Sequence, residues 1–256
     1  MFNLHQVNKV FAVTSIRNIF PGLLDILYPR RCFACDKSLH EEKNSYICEN
    51  CPEKIKESEA RRCTRCGFEL GPGITTSGKG CPECENTSLR FDRSFFVSDN
   101  KGPLQNLIYQ FKYHKHVSLI KPLGDLLIGL LPQDIIPEID IVVPVPLHWK
   151  KKQEGGFNQS ELMAKKICRK LSLPISINNL HRVKNTLSQT QLSRLQRQKN
   201  VNDAFKVKNP DLFLEKNVLL VDDVLTTGIT ASECARNLKN AGAKKVYLLA
   251  LARSRL

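Results

Sequence analysis

The chain has 256 residues, 41% hydrophobic and 25% charged, enough for one ordinary domain plus a smaller one, with the composition of a globular protein. Its apolar runs, such as Leu126 to Leu131, are far too short to cross a bilayer, which argues against a membrane-spanning class. The formal charge of +14, from 39 Lys and Arg against 25 Asp and Glu, points to anionic partners: nucleic acid, pyrophosphate or an acidic membrane face.

Residues 1–31 form an amphipathic segment. Its apolar positions from Val7 to Leu27 are broken by Asn, Lys and Arg, so it lacks the unbroken core of a secretion signal. A cytoplasmic protein is expected, with this segment packed on the fold or lying peripherally at the inner face of the membrane.

Residues 32–90 carry eight of the ten cysteines in four C-x-x-C pairs: Cys32/Cys35, Cys48/Cys51, Cys63/Cys66 and Cys81/Cys84. Two residues between thiolates let a tight turn aim both sulfurs at one tetrahedral ion, so two pairs complete a Zn²⁺ site. The chain predicts two structural zinc sites in a double zinc-ribbon domain, closed to water because all four ligands are thiolates. Consecutive pairing closes shorter loops than an interleaved cross-brace, although the spacing admits both. Between the last two pairs, GITTSGKG (73–80) imitates a phosphate-binding P-loop, but Gly80 replaces the metal-binding hydroxyl and no strand precedes it; it reads as a loop.

From residue 91 the pattern alternates between strands and helices. FDRSFFVSD reads as a strand, and Leu104, Leu107, Ile108 and Phe111 recur at helical spacing. A second helix is expected over Leu119–Leu131, a strand at IDIVVPVP, a helix over Gln159–Leu171 and a strand at PISINN. The strand NVLLVDD, the helix TASECARNLKNAG stopping at Gly242, and the strand KVYLLALA complete the series. Cys168 and Cys234 fall inside helical patterns and read as core residues. Residues 91–256 are therefore expected to form an α/β domain, a mostly parallel sheet flanked by helices. Between His148 and Asn200 stand twelve Lys and Arg against two Glu, so most of the net charge lies there.

The stretch VLLVDDVLTTGIT places Asp222 and Asp223 beside Thr226, Thr227, Gly228, Ile229 and Thr230 at a helix start. Hydroxyls and backbone N–H groups at a helix N-terminus favour a phosphate, and Gly228 allows close approach. The acids would repel that phosphate; they suit sugar hydroxyls or Mg²⁺ instead. A ribose 5-phosphate satisfies both halves.

VLLVDDVLTTGIT resembles the signature of the type I phosphoribosyltransferases, which bind 5-phosphoribosyl 1-pyrophosphate (PRPP). LYPRRCFAC, FKYH around Lys112, VPVPLHWKK, GGFNQS and HRVKNTLSQTQLSRLQRQKNVNDAF are similar to one branch, the competence protein F (ComF) family. The resemblance implies a type I phosphoribosyltransferase fold with Asp222 and Asp223 as catalytic residues and residues 226–230 as the 5′-phosphate loop. It further implies a pyrophosphate loop at Leu147, His148, Lys150, Lys151 and Lys152, and a mobile loop bearing Thr186, Gln189, Arg194, Arg197 and Asn200. The chain departs from that family at Gly155, where relatives carry an Arg before Gly-Phe-Asn-Gln. The function implied is binding of PRPP with Mg²⁺ in natural transformation, with phosphoribosyl transfer to an unidentified acceptor and release of pyrophosphate. The alternative implied is a non-catalytic adaptor of the competence and DNA-translocation proteins that binds single-stranded DNA, with PRPP as regulator.

Overall fold

The computed structural model describes residues 30–39, 46–56, 61–77, 80–85, 89–148, 156–184 and 201–254. In chain order the elements are α1 (Asn50–Lys56), α2 (Pro82–Glu85), β1 (Arg93–Asp99), α3 (Gly102–Tyr113), α4 (Ile120–Leu130), β2 (Ile141–Pro144), α5 (Gln159–Leu171), β3 (Leu180–Arg182), β4 (Phe205–Val207), β5 (Asn217–Leu225), α6 (Ile229–Asn240) and β6 (Lys245–Arg253). Most of the N-terminal segment, residues 1–29, lies outside the described residues.

Four strands pair in the order β1-β6-β5-β2, all parallel. The inner strands read as near-continuous apolar runs because both faces are covered. On one face Leu219, Val221, Tyr247 and Leu249 pack with Leu107 and Phe111 of α3, Leu123 of α4 and Met163 and Ile167 of α5. On the other, Val218, Leu220, Val246 and Leu248 pack with Ala231, Cys234, Ala235 and Leu238 of α6. Cys168 and Cys234 are both buried.

Two expectations need correction. PISINN is not a strand: Ile175 makes a single parallel bridge to Val142. Pro174 has no N–H to continue a ladder, and Asn178, at φ 66°, turns the chain away. The acids also do not end their strand, because β5 runs on through both of them to Leu225, with Asp222 opposite Ala250 and Val224 opposite Ala252 of β6. A short antiparallel ribbon, β3 with β4, lies outside the main sheet.

The two cysteine clusters form by consecutive pairing. Cys32, Cys35, Cys48 and Cys51 make one, Cys63, Cys66, Cys81 and Cys84 the other, with each set of sulfurs within 4.8 Å of one another. The closest S···S separations run from 3.5 to 3.9 Å. A tetrahedron of Zn–S bonds has edges of about 3.8 Å, so both clusters fit the ion. The knuckles repeat: Asp36 N donates to Cys32 O and Gly67 N to Cys63 O, each from a left-handed residue.

The ribbons straddle the edge strand β1. The first packs Ala34, Leu39 and Ile47 into the core beneath α3, and Asn106 Nδ2 donates to Ala34 O at 3.0 Å. The second covers the opposite face and the open edge: Ser94 N donates to Thr64 O and Ser94 Oγ to Arg65 O. An open strand edge is a template for unwanted pairing, and the ribbon closes it.

Candidate functional site

The chain leaves β2 outward through α5 to Ile175, and leaves β5 the opposite way through α6 to β6. Loops diverging from neighbouring strands leave a crevice at their carboxyl ends, where α/β sheets bind ligands. A cleft of about 220 Å³ occupies this place, lined by Leu147, Asn158, Ser160, Arg182, Asp222, Asp223, Thr226, Gly228 and Thr230 among others.

Consecutive strand residues face opposite sides, and this separates the two acids. Asp223 Oδ2 meets Lys112 Nζ of α3 at 2.7 Å, an ion pair whose side chains are only 15% and 26% exposed. Asp222 Oδ1 accepts from Ser160 Oγ at 3.2 Å and from Asp223 N at 2.9 Å. Burial, with the Asp223 charge behind it, pushes the Asp222 carboxyl up to about 7. The Asp223 carboxylate raises the Lys112 ammonium above its ordinary value, against the effect of burial. With one carboxylate neutralised by Lys112 and the other titrating near neutrality, the pair suits hydroxyl donors better than a bare dication.

The phosphate-type loop sits opposite. Gly228, at φ 76°, is the N-cap of α6, so the chain turns there through a left-handed conformation that side chains disfavour. Thr226 and Thr230 line the cleft, and Thr227 Oγ1 accepts from Ile229 N at 3.4 Å. Ile229 turns its side chain to the core, so only its backbone can serve a ligand. The positive end of α6, with these donors, offers groups suited to an anion in the cleft that the acids also line.

The N-terminus of α5 forms a third wall. Asn158 Oδ1 accepts from Ser160 N at 3.1 Å, capping the helix, while its Nδ2 donates to Val145 O at 3.0 Å. The loop after β2 is thereby tied to the start of α5. Phe157 packs on Phe111 with ring centroids 5.4 Å apart, holding α3 and Lys112 against the same loop.

Of the residues predicted from sequence, Asp222, Asp223, Thr226, Gly228, Thr230 and Leu147 converge on the cleft. His148 is buried at 3% exposure and is not among its lining residues. Lys150, Lys151 and Lys152, and Thr186, Gln189, Arg194, Arg197 and Asn200, lie outside the described residues. Sequence reasoning left out Lys112, Asn158, Ser160 and Arg182 as site residues. A lysine in the last turn of a helix whose other face is apolar was the available signal for Lys112. Arg182 stands on a three-residue strand with its guanidinium 5.5 Å from the Phe205 ring, and burial lowers its pKa.

Residues 23–86 match the double zinc ribbon domain family and residues 157–255 the phosphoribosyl transferase domain family. Competence protein F of Haemophilus influenzae is 31% identical over 232 residues, covering 88% of this chain and 97% of that protein. The chain belongs to the competence protein F family. Another relative, the DNA utilization protein YhgH of Escherichia coli K12, is 30% identical over 81% of this chain and 90% of its own length. Competence protein ComFC of Bacillus subtilis is 24% identical over 82% and 89%. Among solved structures, a purine phosphoribosyltransferase from Pyrococcus horikoshii covers 52% of this chain and 80% of its own at 18% identity, with a TM-score of 0.33, too distant a likeness to bear an argument. Membership of the family supports a role in competence and the use of incoming DNA. No described helix is long and apolar enough to cross a membrane.

Proposed function

We propose that the cleft binds PRPP, with the 5′-phosphate on residues 226–230 and the ribose 2′ and 3′ hydroxyls on Asp222 and Asp223, and that the protein uses this site in natural transformation. One observation supports the reading: a helix N-terminus whose donors suit an anion and a carboxylate pair that suits hydroxyl donors line one 220 Å³ cleft. A ribose 5-phosphate has that polarity along its length.

Pyrophosphate departing from the anomeric carbon carries charge that Mg²⁺ would offset, entering with PRPP. Lys150, Lys151 and Lys152, which follow Leu147 in sequence, are the proposed source of further cations for pyrophosphate. Within the described residues, Lys112 and Arg182 supply positive charge to the cleft wall. Asp222 and Asp223 would orient the ribose, and the Asp222 carboxylate, when ionised, would favour loss of pyrophosphate through an oxocarbenium-like state. An acceptor would approach from the adjoining hollow of about 370 Å³, which shares Leu147, Asn158 and Arg182 with the cleft.

Calorimetric titration with Mg-PRPP, and pyrophosphate release with candidate bases in the presence and absence of single-stranded DNA, test the proposal. Binding that disappears in Asp222→Asn/Asp223→Asn is expected; full binding by that variant would refute the site. Binding without pyrophosphate release in any arm would favour the adaptor reading, in which PRPP regulates DNA handling at the inner face of the membrane.

A further inference from the structure

A chain of six aromatic rings runs from the first zinc ribbon to the end of α3. Tyr46 stacks on Phe33 with centroids 5.8 Å apart, Phe33 on His116 at 4.5 Å, and His116 lies beside His114 at 6.2 Å with planes 25° apart. His114 meets the edge of Tyr109 at 5.3 Å, and Tyr109 meets Tyr113 at 5.0 Å. Tyr46, Tyr109 and Tyr113 are 45%, 51% and 66% exposed, so the rings keep free faces rather than forming a core. The series joins two parts of the chain distant in sequence and therefore exists only in the folded protein. Its sequence surroundings are cationic: between Lys101 and Gly124 there are four Lys and two His and no acid, with Lys112 turned to Asp223 and Lys101 to Asp99. The exposed Asp36, three residues after Phe33, is paired with Arg31 at 2.7 Å.

We infer that this ladder is a stacking platform for the unpaired bases of single-stranded nucleic acid. Exposed tyrosine faces on which bases can stack, with lysines nearby that attract phosphate, are what a sequence-tolerant single-strand site requires. Every base presents a π-face, whereas a protein partner would call for an apolar pocket, and the exposed rings here carry hydroxyl or imidazole groups. Lys112, between Tyr109 and Tyr113, pins Asp223 in the cleft, so a strand on the ladder would lie next to the PRPP site. The inference rests on the DNA-handling part of the proposed function and is independent of PRPP binding.

Fluorescence anisotropy with a labelled thymidine 20-mer and an abasic 20-mer of equal phosphate count separates stacking from charge. The full-length zinc-loaded protein should bind the thymidine strand at least about tenfold more tightly. Tyr46→Ala/Tyr113→Ala should reduce that ratio towards one while zinc content and Mg-PRPP binding stay unchanged, and Tyr46→Phe/Tyr113→Phe should retain it. Equal affinity of the wild type for both strands, or an undiminished ratio in the alanine variant, overturns the inference. The first of these would leave DNA binding through the basic segment intact, and binding of neither strand would remove the DNA reading as well.

Discussion

Lys112 Nζ lies 2.7 Å from Asp223 Oδ2, while the adjacent acid, Asp222, takes the hydroxyl of Ser160 instead. The two carboxylates are sequence neighbours with different duties. Asp223 is paired with a cation from α3, and the Asp222 carboxyl is raised towards neutrality by burial beside it.

Replacing Lys112 by Met leaves a largely buried carboxylate without its cation. A stability loss of about 2 kcal/mol near pH 8 is expected, below the full cost of breaking a deeply buried pair because both side chains keep some solvent. Urea unfolding at pH 8 measures this; equal stability of the variant and the wild type would contradict the ion-pair account.

Asp222 is an acid whose folded pKa, about 7, lies above the ordinary carboxylate value. Such a group leaves stability intact below pH 4 and erodes it as the pH rises towards 7, where the folded protein must give up the proton. Asp222→Asn should therefore be more stable than the wild type above pH 7, by on the order of 2 kcal/mol, with the two curves converging near pH 4. The same variant should bind Mg-PRPP at least about tenfold more weakly, and wild-type affinity should fall as the pH drops through 7. A variant less stable than the wild type at pH 8 would show that the carboxylate's contacts outweigh its burial.

Gly228 has φ 76°, and a Cβ there would lie 3.2 Å from Leu89 Cδ2. Gly228→Ala should cost about 1–2 kcal/mol in thermal unfolding and weaken Mg-PRPP binding by displacing the N–H groups of the loop. Gly228→Asn, whose side chain tolerates the left-handed region, should be milder. Equal losses in both variants would assign the cost to crowding against Leu89 rather than to backbone strain.

Elemental analysis should find two zinc ions per chain, and chelation should lower the unfolding temperature by more than about 10 °C, because each cluster is built into a face of the main core. Gly67→Ala is a sharper probe of the second ribbon: its Cβ would fall 2.2 Å from the Phe96 ring of β1, from a residue at φ 69°. Loss of stability with zinc content retained is expected. One zinc per chain in the wild type would rule out the two-site arrangement.

Much of the fold was legible because its signals are local. The helix over 159–171 is framed by Asn158, whose side chain caps it, and by apolar residues at helical spacing, Met163, Ile167 and Cys168 among them, and the structure gives those same limits. Leu104, Leu107, Ile108 and Phe111 all turn inward on α3, as their spacing requires. PISINN misled because β-branched residues describe a surface that suits a strand, not the presence of hydrogen-bonding room beside it. The three-residue strands β3 and β4 left no periodicity to read, and Arg182 stayed hidden with them.

By itself the sequence determined the chemistry available to this protein: four thiolate pairs at zinc spacing, two adjacent acids, and a Thr/Gly turn opening a helix. Those features depend on residues within a few positions of one another. Only the tertiary structure decided what each group faces. Strand alternation parts Asp222 from Asp223, α3 brings Lys112 across more than a hundred residues to one of them, and the first ribbon meets α3 to make a continuous row of rings. Such contacts arise from burying apolar faces against each other, and no spacing along the chain encodes which polar side chains that burial will bring together.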